Sequence, residues 1–240
     1  SVVRDGSRKI WSTRPSTWRA TRLASTPGVE RRPAWAPDGK SIGFVSARDG
    51  CGIYVMNADG SGQKRITTPE DGQRDDSPSW APGSDKLVFA RTQADDDDLW
   101  VVNADGSGAA NLTKSPDVSE AGPRWSPDGA RIAYFLPGAG LWVMKADVSD
   151  RRQVLAANVC GAPTWSPDSA RLAYSEGTGQ VHVVNLDGTG DRNVSAARQE
   201  RTPAWSPDGK QLAFTVREGG MSIETAKLPA DWLLYTSDAA

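Results

Sequence analysis

An all-β fold, a β-propeller built of four-stranded antiparallel blades, is what this 240-residue sequence predicts, and three observations predict it. The phrase Pro33-Ala34-Trp35-Ala36-Pro37-Asp38-Gly39 returns around Trp80, Trp125, Trp165 and Trp205. Those tryptophans fall 45, 45, 40 and 40 residues apart, a period at which one repeat is one propeller blade. Between them lie short segments apolar on both faces, such as Ile53-Tyr54-Val55-Met56, Leu99-Trp100-Val101-Val102 and Leu141-Trp142-Val143-Met144. A strand wet on one side would alternate, so these must be covered twice.

Within the repeat around Trp35, a short first strand ends at the tryptophan. Pro37-Asp38-Gly39 then supplies a tight turn, in which proline presets φ and glycine takes the left-handed position. The second strand, 41–46, places Ile42 and Phe44 on one face by its period of two. Leu87 with Phe89, Ile132 with Tyr134, Leu172 with Tyr174, and Leu212 with Phe214 match them in the later repeats. The doubly apolar third strand follows, then a hairpin, Asn57-Ala58-Asp59-Gly60-Ser61-Gly62, which returns at 103–108 and, altered, at 185–190. A weaker fourth strand ends near Ile66-Thr67, Leu112-Thr113, Leu155 and Val194, short and charged as an outer edge requires.

Run to the chain ends, this register gives four whole and two partial repeats. Val2 to Leu23 supplies strands two to four of one blade, and Trp205 to Ile223 supplies strands one to three of another. Both partial repeats carry a third strand, so the chain reads as a segment of an incomplete six- or seven-bladed propeller over residues 1–228. Residues 229–240 fit no repeat position and read as a non-native tail.

Trp-Ser-Pro-Asp-Gly followed by an apolar strand and then Ile-Tyr-Val-Met-Asn-Ala-Asp-Gly-Ser-Gly resembles the TolB-type propeller repeat, and the resemblance covers roughly 1–228. It implies a periplasmic or otherwise extracytoplasmic scaffold that binds partners of the bacterial envelope. Related propellers occur in prolyl-oligopeptidase-like and dipeptidyl-peptidase-like serine peptidases, in tricorn-type proteases and in oligogalacturonate lyases. A gating propeller whose catalytic domain lies outside this chain is therefore the alternative expectation.

Thirty acidic and 28 basic residues give a net charge of −2, with no basic excess to hold a phosphate backbone or an anionic membrane. The partner expected is a protein or peptide, with no nucleic acid and no membrane insertion; the oligomeric state stays open. Cys51 and Cys160 sit in different repeats and are expected to be free thiols. Catalytic residues, cofactors and metals are all expected to be none. His182 is the only histidine and occupies a packed third-strand slot, no Gly-x-Ser-x-Gly elbow is present, and no glycine-rich phosphate loop opens a helix. Asn57 to Gly62 has oxygens at alternate positions, but position twelve from Asn57 is Thr68 rather than an EF-hand glutamate. Asp95-Asp96-Asp97-Asp98 reads as a solvated loop.

The candidate site is a repeated acid. Glu30, Asp75, Glu120 and Glu200 each stand five residues before a tryptophan, with Cys160 breaking the series. In a propeller they would gather at one mouth of the central channel, where four carboxylates would draw a cation or a basic partner. The same acids could instead accept backbone N–H bonds that shape each entering loop. Arg31, Arg74 and Arg201 adjoin them and would blunt the potential.

Overall fold

A computed structural model describes residues 2–4, 7–13, 20–24, 28–93, 96–116, 118–195, 200–217 and 221–228. Each repeat is an antiparallel sheet whose strands pair in sequence order. The Trp35 sheet comprises Glu30–Trp35, Ser41–Ser46, Gly52–Asn57 and Lys64–Arg65. The Trp80 sheet comprises Arg74–Trp80, Lys86–Gln93, Asp96–Asn103 and Ala110–Asn111. The Trp125 sheet runs through Ala121–Trp125, Arg131–Leu136, Gly140–Lys145 and Arg152–Leu155, and the Trp165 sheet through Thr164–Trp165, Arg171–Ser175, Val181–Asn185 and Arg192–Asn193. A fifth sheet, Glu200–Trp205, Gln211–Arg217 and Met221–Lys227, has three strands. Ahead of them Val2–Arg4 pairs with Ser7–Lys9, and Trp11–Thr13 with Ala20–Arg22. The described residues thus form five blade-like sheets preceded by two small two-stranded ones.

Every hydrophobic layer lies between two successive sheets. Val45, Ile53 and Ile66 meet Trp80, Leu87, Phe89 and Val102. Val88 and Leu99, from the other face of that second sheet, meet Ile132, Tyr134 and Met144. Leu141 and Val143 meet Leu172, Tyr174 and Val184, and Val181 and Val183 meet Leu212, Phe214 and Val216. Ile10 and Leu23 cover Ile42, Phe44 and Tyr54 in the same way. The first four of the five sheets are covered on both faces, which is why their central strands carry apolar residues without alternation, while Ile223 on the last strand of the fifth is 76% exposed.

The two turns are built as their residues dictate. Gly39 takes φ 70°, and Ser84 and Ser169 hold the equivalent place at 58° and 59°. Asp38 Oδ1 accepts the N–H of Lys40 at 2.9 Å, which fixes that turn; Asp128, Asp168 and Asp208 do the same. In the 57–62 hairpin, Asp59 Oδ1 accepts both N–H and Oγ of Ser61 at 2.9 and 2.6 Å, while Asn57 Nδ2 reaches that hydroxyl at 2.9 Å. The oxygens that resemble a calcium loop are thus engaged in closing the hairpin, and the pattern repeats at Asp105, Asp147 and Asp187. The acidic run is not the solvated loop expected of it. Asp96, Asp97 and Asp98 are strand residues opposite Gln93, Thr92 and Arg91, and Asp95 lies outside the described residues. Cys51 and Cys160 are both unbridged. No helix among the described residues is long and apolar enough to cross a membrane.

These bonds hold the Asp59, Asp105, Asp147 and Asp187 carboxyls below their ordinary value, the serine or threonine hydroxyl contributing most. A depressed carboxyl stabilises the fold above its unfolded pKa and loses that contribution as pH falls through its folded one. Urea unfolding between about pH 5 and pH 2 should therefore show a shallower acid loss of stability in a variant with all four replaced by asparagine. Gly140, at φ 110°, offers a second test. A Cβ there would stand 2.1 Å from the Leu155 carbonyl oxygen, whereas one on Gly39 meets nothing within 4 Å. Gly39→Ala should cost about 1 kcal/mol from its backbone conformation alone, and Gly140→Ala several-fold more, in urea midpoints.

Candidate functional site

A proline stands two residues before the tryptophan of each sheet, within the first strand or, at Pro163, directly ahead of it, which removes a donor and confines the strand to a sheet edge or a bulge. Both occur. Pairing slips between Arg31 and Ala34, between Asp76 and Ser79, between Ala121 and Arg124, and between Arg201 and Ala204. At each slip the residue before the proline is left-handed: Arg32 at φ 51°, Ser77 at 56°, Gly122 at 58° and Thr202 at 55°. Three of these four are not glycine, a conformation that costs an L-residue on the order of 1–2 kcal/mol. The bulge turns the flanking side chains off the regular alternation.

Tryptophan rings fill the wedge between sheets and stitch them together. Trp80 Nε1 donates to the Ala34 carbonyl at 3.0 Å, Trp165 Nε1 to Arg124 at 3.0 Å, and Trp205 Nε1 to Thr164 at 3.2 Å. The acceptor in each case precedes the tryptophan of the previous sheet. Trp125 donates within its own turn, to Gly129 at 3.2 Å, and Trp35 is 54% exposed.

The repeated acids do not form an open rim. Glu30, Asp75 and Glu120 are all 0% exposed, each turned into a seam of the fold against a cation. Lys9 Nζ lies 3.4 Å from Glu30 Oε2. Arg91 grips Asp75 with two bonds, at 2.7 and 2.9 Å, and lies 4.6 Å over the Trp100 ring. Arg151 Nη2 donates to Glu120 Oε1 at 2.6 Å, and Thr113 of the preceding sheet to Oε2 at 3.1 Å. Burial pushes the Glu120 carboxyl up, against the pull of its hydroxyl partners and Arg151. Carboxylates so enclosed present no field to solvent, which corrects the expectation of a cation-drawing mouth at these three. Glu200 and Arg201 lie on the Glu200–Trp205 strand, and their side chains fall outside those described. Arg74 is exposed at the start of its strand, and Arg31 pairs with Asp76 at 3.4 Å.

What faces the space between the first strands has the opposite sign. Two contiguous cavities of about 370 and 310 Å³ share Pro37, Trp80 and Arg124 and draw on the first strands of four successive sheets. Among the described residues, the only charged ones that line them are Arg32 and Arg124. Arg32 pairs with Asp76, a carboxylate that also takes Arg31. Arg124 donates through Nη1 to the carbonyls of Pro123 and Ser77, at 2.8 and 3.4 Å, and no carboxylate among the described residues lies within ion-pair distance of it. Burial and neighbouring Arg32 lower its pKa to about 10 against the pull of Asp76, leaving it cationic at neutral pH. Sequence reasoning passed over Arg32, Asp76 and Arg124. The available signal was only the proline two residues before each tryptophan, which marks an edge or a bulge without naming the side chains it turns. A larger depression of about 540 Å³ lies among the turns of the last three sheets, but its arginines are matched, Arg131 with Asp128 at 3.9 Å and Arg171 with Asp168 at 3.5 Å. His182 stands on a third strand, between Glu176 at 3.6 Å and Asp191 at 3.4 Å, and packs 5.4 Å from Tyr174.

Comparison with known proteins bears on this arrangement. The family model described as the TolB beta propeller domain matches residues 112–223. An uncharacterized protein of Agrobacterium fabrum, Atu1656, is 32% identical over 144 residues, 55% of this chain and 48% of its own length. The Tol-Pal system protein TolB of Francisella tularensis is 32% identical over 65 residues, 26% of this chain and 15% of that one. The chain thus spans about half the length of the first of these relatives and a smaller part of the second. Among solved structures, TolB from Acinetobacter baumannii superposes with a TM-score of 0.75 at 18% identity, over 90% of this chain and 56% of that one, which shows a shared fold.

Asp75→Ala leaves Arg91 buried without its carboxylate and should cost about 3–5 kcal/mol in chemical unfolding. An equal loss on Arg74→Ala, one residue away and exposed, would show that the seam pair is not what matters.

Proposed function

Because the chain belongs to the TolB-type β-propeller repeat family, we propose that it serves as a non-catalytic, extracytoplasmic scaffold that captures a protein or peptide at the mouth of its central channel. Its sheets belong to a propeller of six or seven blades. The observation that carries this reading is the groove along the first strands, walled by Trp35, Trp80, Trp125 and Trp165 and by the arginines at 32 and 124. Aromatic rings give a partner large, rigid contact area at little entropic cost, and arginine supplies directed hydrogen bonds, the pairing that dominates protein interfaces. The one histidine stands on a third strand, removed from that groove, which supports binding rather than turnover.

Two measurements test this. A photo-cross-linking residue at Ala34 should yield a discrete protein adduct in cells of the source organism, while one at Asp147, in a 3–4 hairpin, should not; adducts from neither or equally from both would overturn the scaffold. Steady turnover of peptide or polyuronate substrates by the purified chain would overturn the non-catalytic assignment.

A further inference from the structure

The charge on the groove specifies its occupant. Although the protein carries a net charge of −2, its acids and bases are sorted by position. Glu30, Asp75 and Glu120 are withdrawn into seams and neutralised, while Arg31, Arg32 and Arg124 stand on the first strands with one carboxylate, Asp76, among them. Among the described residues, no acid lines either cavity.

Arg124 is the strongest element. Its bonds both leave from Nη1 and both end on backbone carbonyls, so they orient the guanidinium without cancelling its charge. Arg32 is held by the bulge in a left-handed conformation that its own side chain disfavours, and that side chain remains 54% exposed beside Asp76. A guanidinium presents its donors as a planar fork that matches a carboxylate at two points. The flanking indoles offer flat apolar surface for the methylenes that carry such a group.

We propose that the channel groove recognises an acidic peptide segment, its side-chain carboxylates seated on Arg124 and Arg32 and its chain lying against Trp80 and Trp125. The inference rests on the scaffold reading and names the chemistry of the partner. Arg32 exchanges its bond to Asp76 for one to the incoming carboxylate, so association weakens as salt rises.

The test uses the purified chain and a hexaglutamate peptide, followed by quenching of tryptophan fluorescence and by calorimetry, with hexalysine, hexaserine and trigalacturonate as comparators. Hexaglutamate should bind, more weakly at high than at low salt. Arg124→Gln and Arg32→Gln should each reduce affinity on the order of tenfold or more, while Arg131→Gln, on the turn face, leaves it unchanged. Arg32 is half exposed, so its variant should keep the wild-type melting profile and stay informative even if Arg124→Gln unfolds. Hexaglutamate binding unaltered in Arg32→Gln and in any folded Arg124 variant would overturn the site. Equal binding of hexalysine or hexaserine would overturn the charge recognition while leaving a peptide scaffold standing. Trigalacturonate bound at least tenfold tighter through the same arginines would overturn the peptide assignment and the scaffold reading together. No binding of any probe would overturn the acidic-peptide inference alone, since the Ala34 cross-link judges the scaffold separately.

Discussion

A sheet that is apolar on both faces cannot stand alone in water, and this constraint organises everything else in the molecule. Ile53 and Val45 need the Trp80 sheet, Val88 and Leu99 need the Trp125 sheet, and Leu141 and Val143 need the Trp165 sheet. Burial at about 25 cal/mol per Å² on each face favours the stack over any isolated pair of strands. Stacking by faces leaves each sheet one inner edge, and the prolines at 33, 78, 123, 163 and 203 sit on those edges, where a missing donor is harmless. The groove is what remains where four of these edges converge.

Electrostatics follows from the same packing. A carboxylate caught in a seam has to be paired, since an uncompensated buried charge costs several kcal/mol. Lys9, Arg91 and Arg151 meet that need from three different structural positions: the end of the Ser7–Lys9 strand, the neighbouring strand of the same sheet, and the loop ahead of a fourth strand. The arginine at 32 shares Asp76 with Arg31, and the one at 124 is oriented by the carbonyls of Pro123 and Ser77 rather than by a carboxylate. Charge sign therefore separates radially even though the totals nearly balance.

Much of the architecture was legible from the chain. The period of the tryptophans, the doubly apolar third strands and the second-strand pairs such as Leu172 with Tyr174 all landed on buried strands of successive sheets. The hairpins were legible too, because Asn, Asp, Gly and Ser act on backbone within four residues of themselves. The site was not, for a physical reason. The direction of Glu30, Asp75 and Glu120 depends on cations whose offsets from them differ, Lys9 at 21 residues before, Arg91 at 16 after and Arg151 at 31 after, so no periodic signal marks the pairs. A bulge at Arg32 or Thr202 is likewise invisible to composition, since neither residue favours positive φ. Asp96 to Asp98 misled in the other direction, as cross-strand pairing with Arg91, Thr92 and Gln93 overrode their weak strand propensity.

The indole stitches have a direction. Trp80 reaches back to Ala34, Trp165 to Arg124 and Trp205 to Thr164; the donor always lies nearer the C-terminus than its acceptor. A chain emerging from the ribosome therefore presents each carbonyl before the ring that will claim it. Each sheet so stitched finds its template already laid down, so maturation can advance with synthesis rather than wait for release.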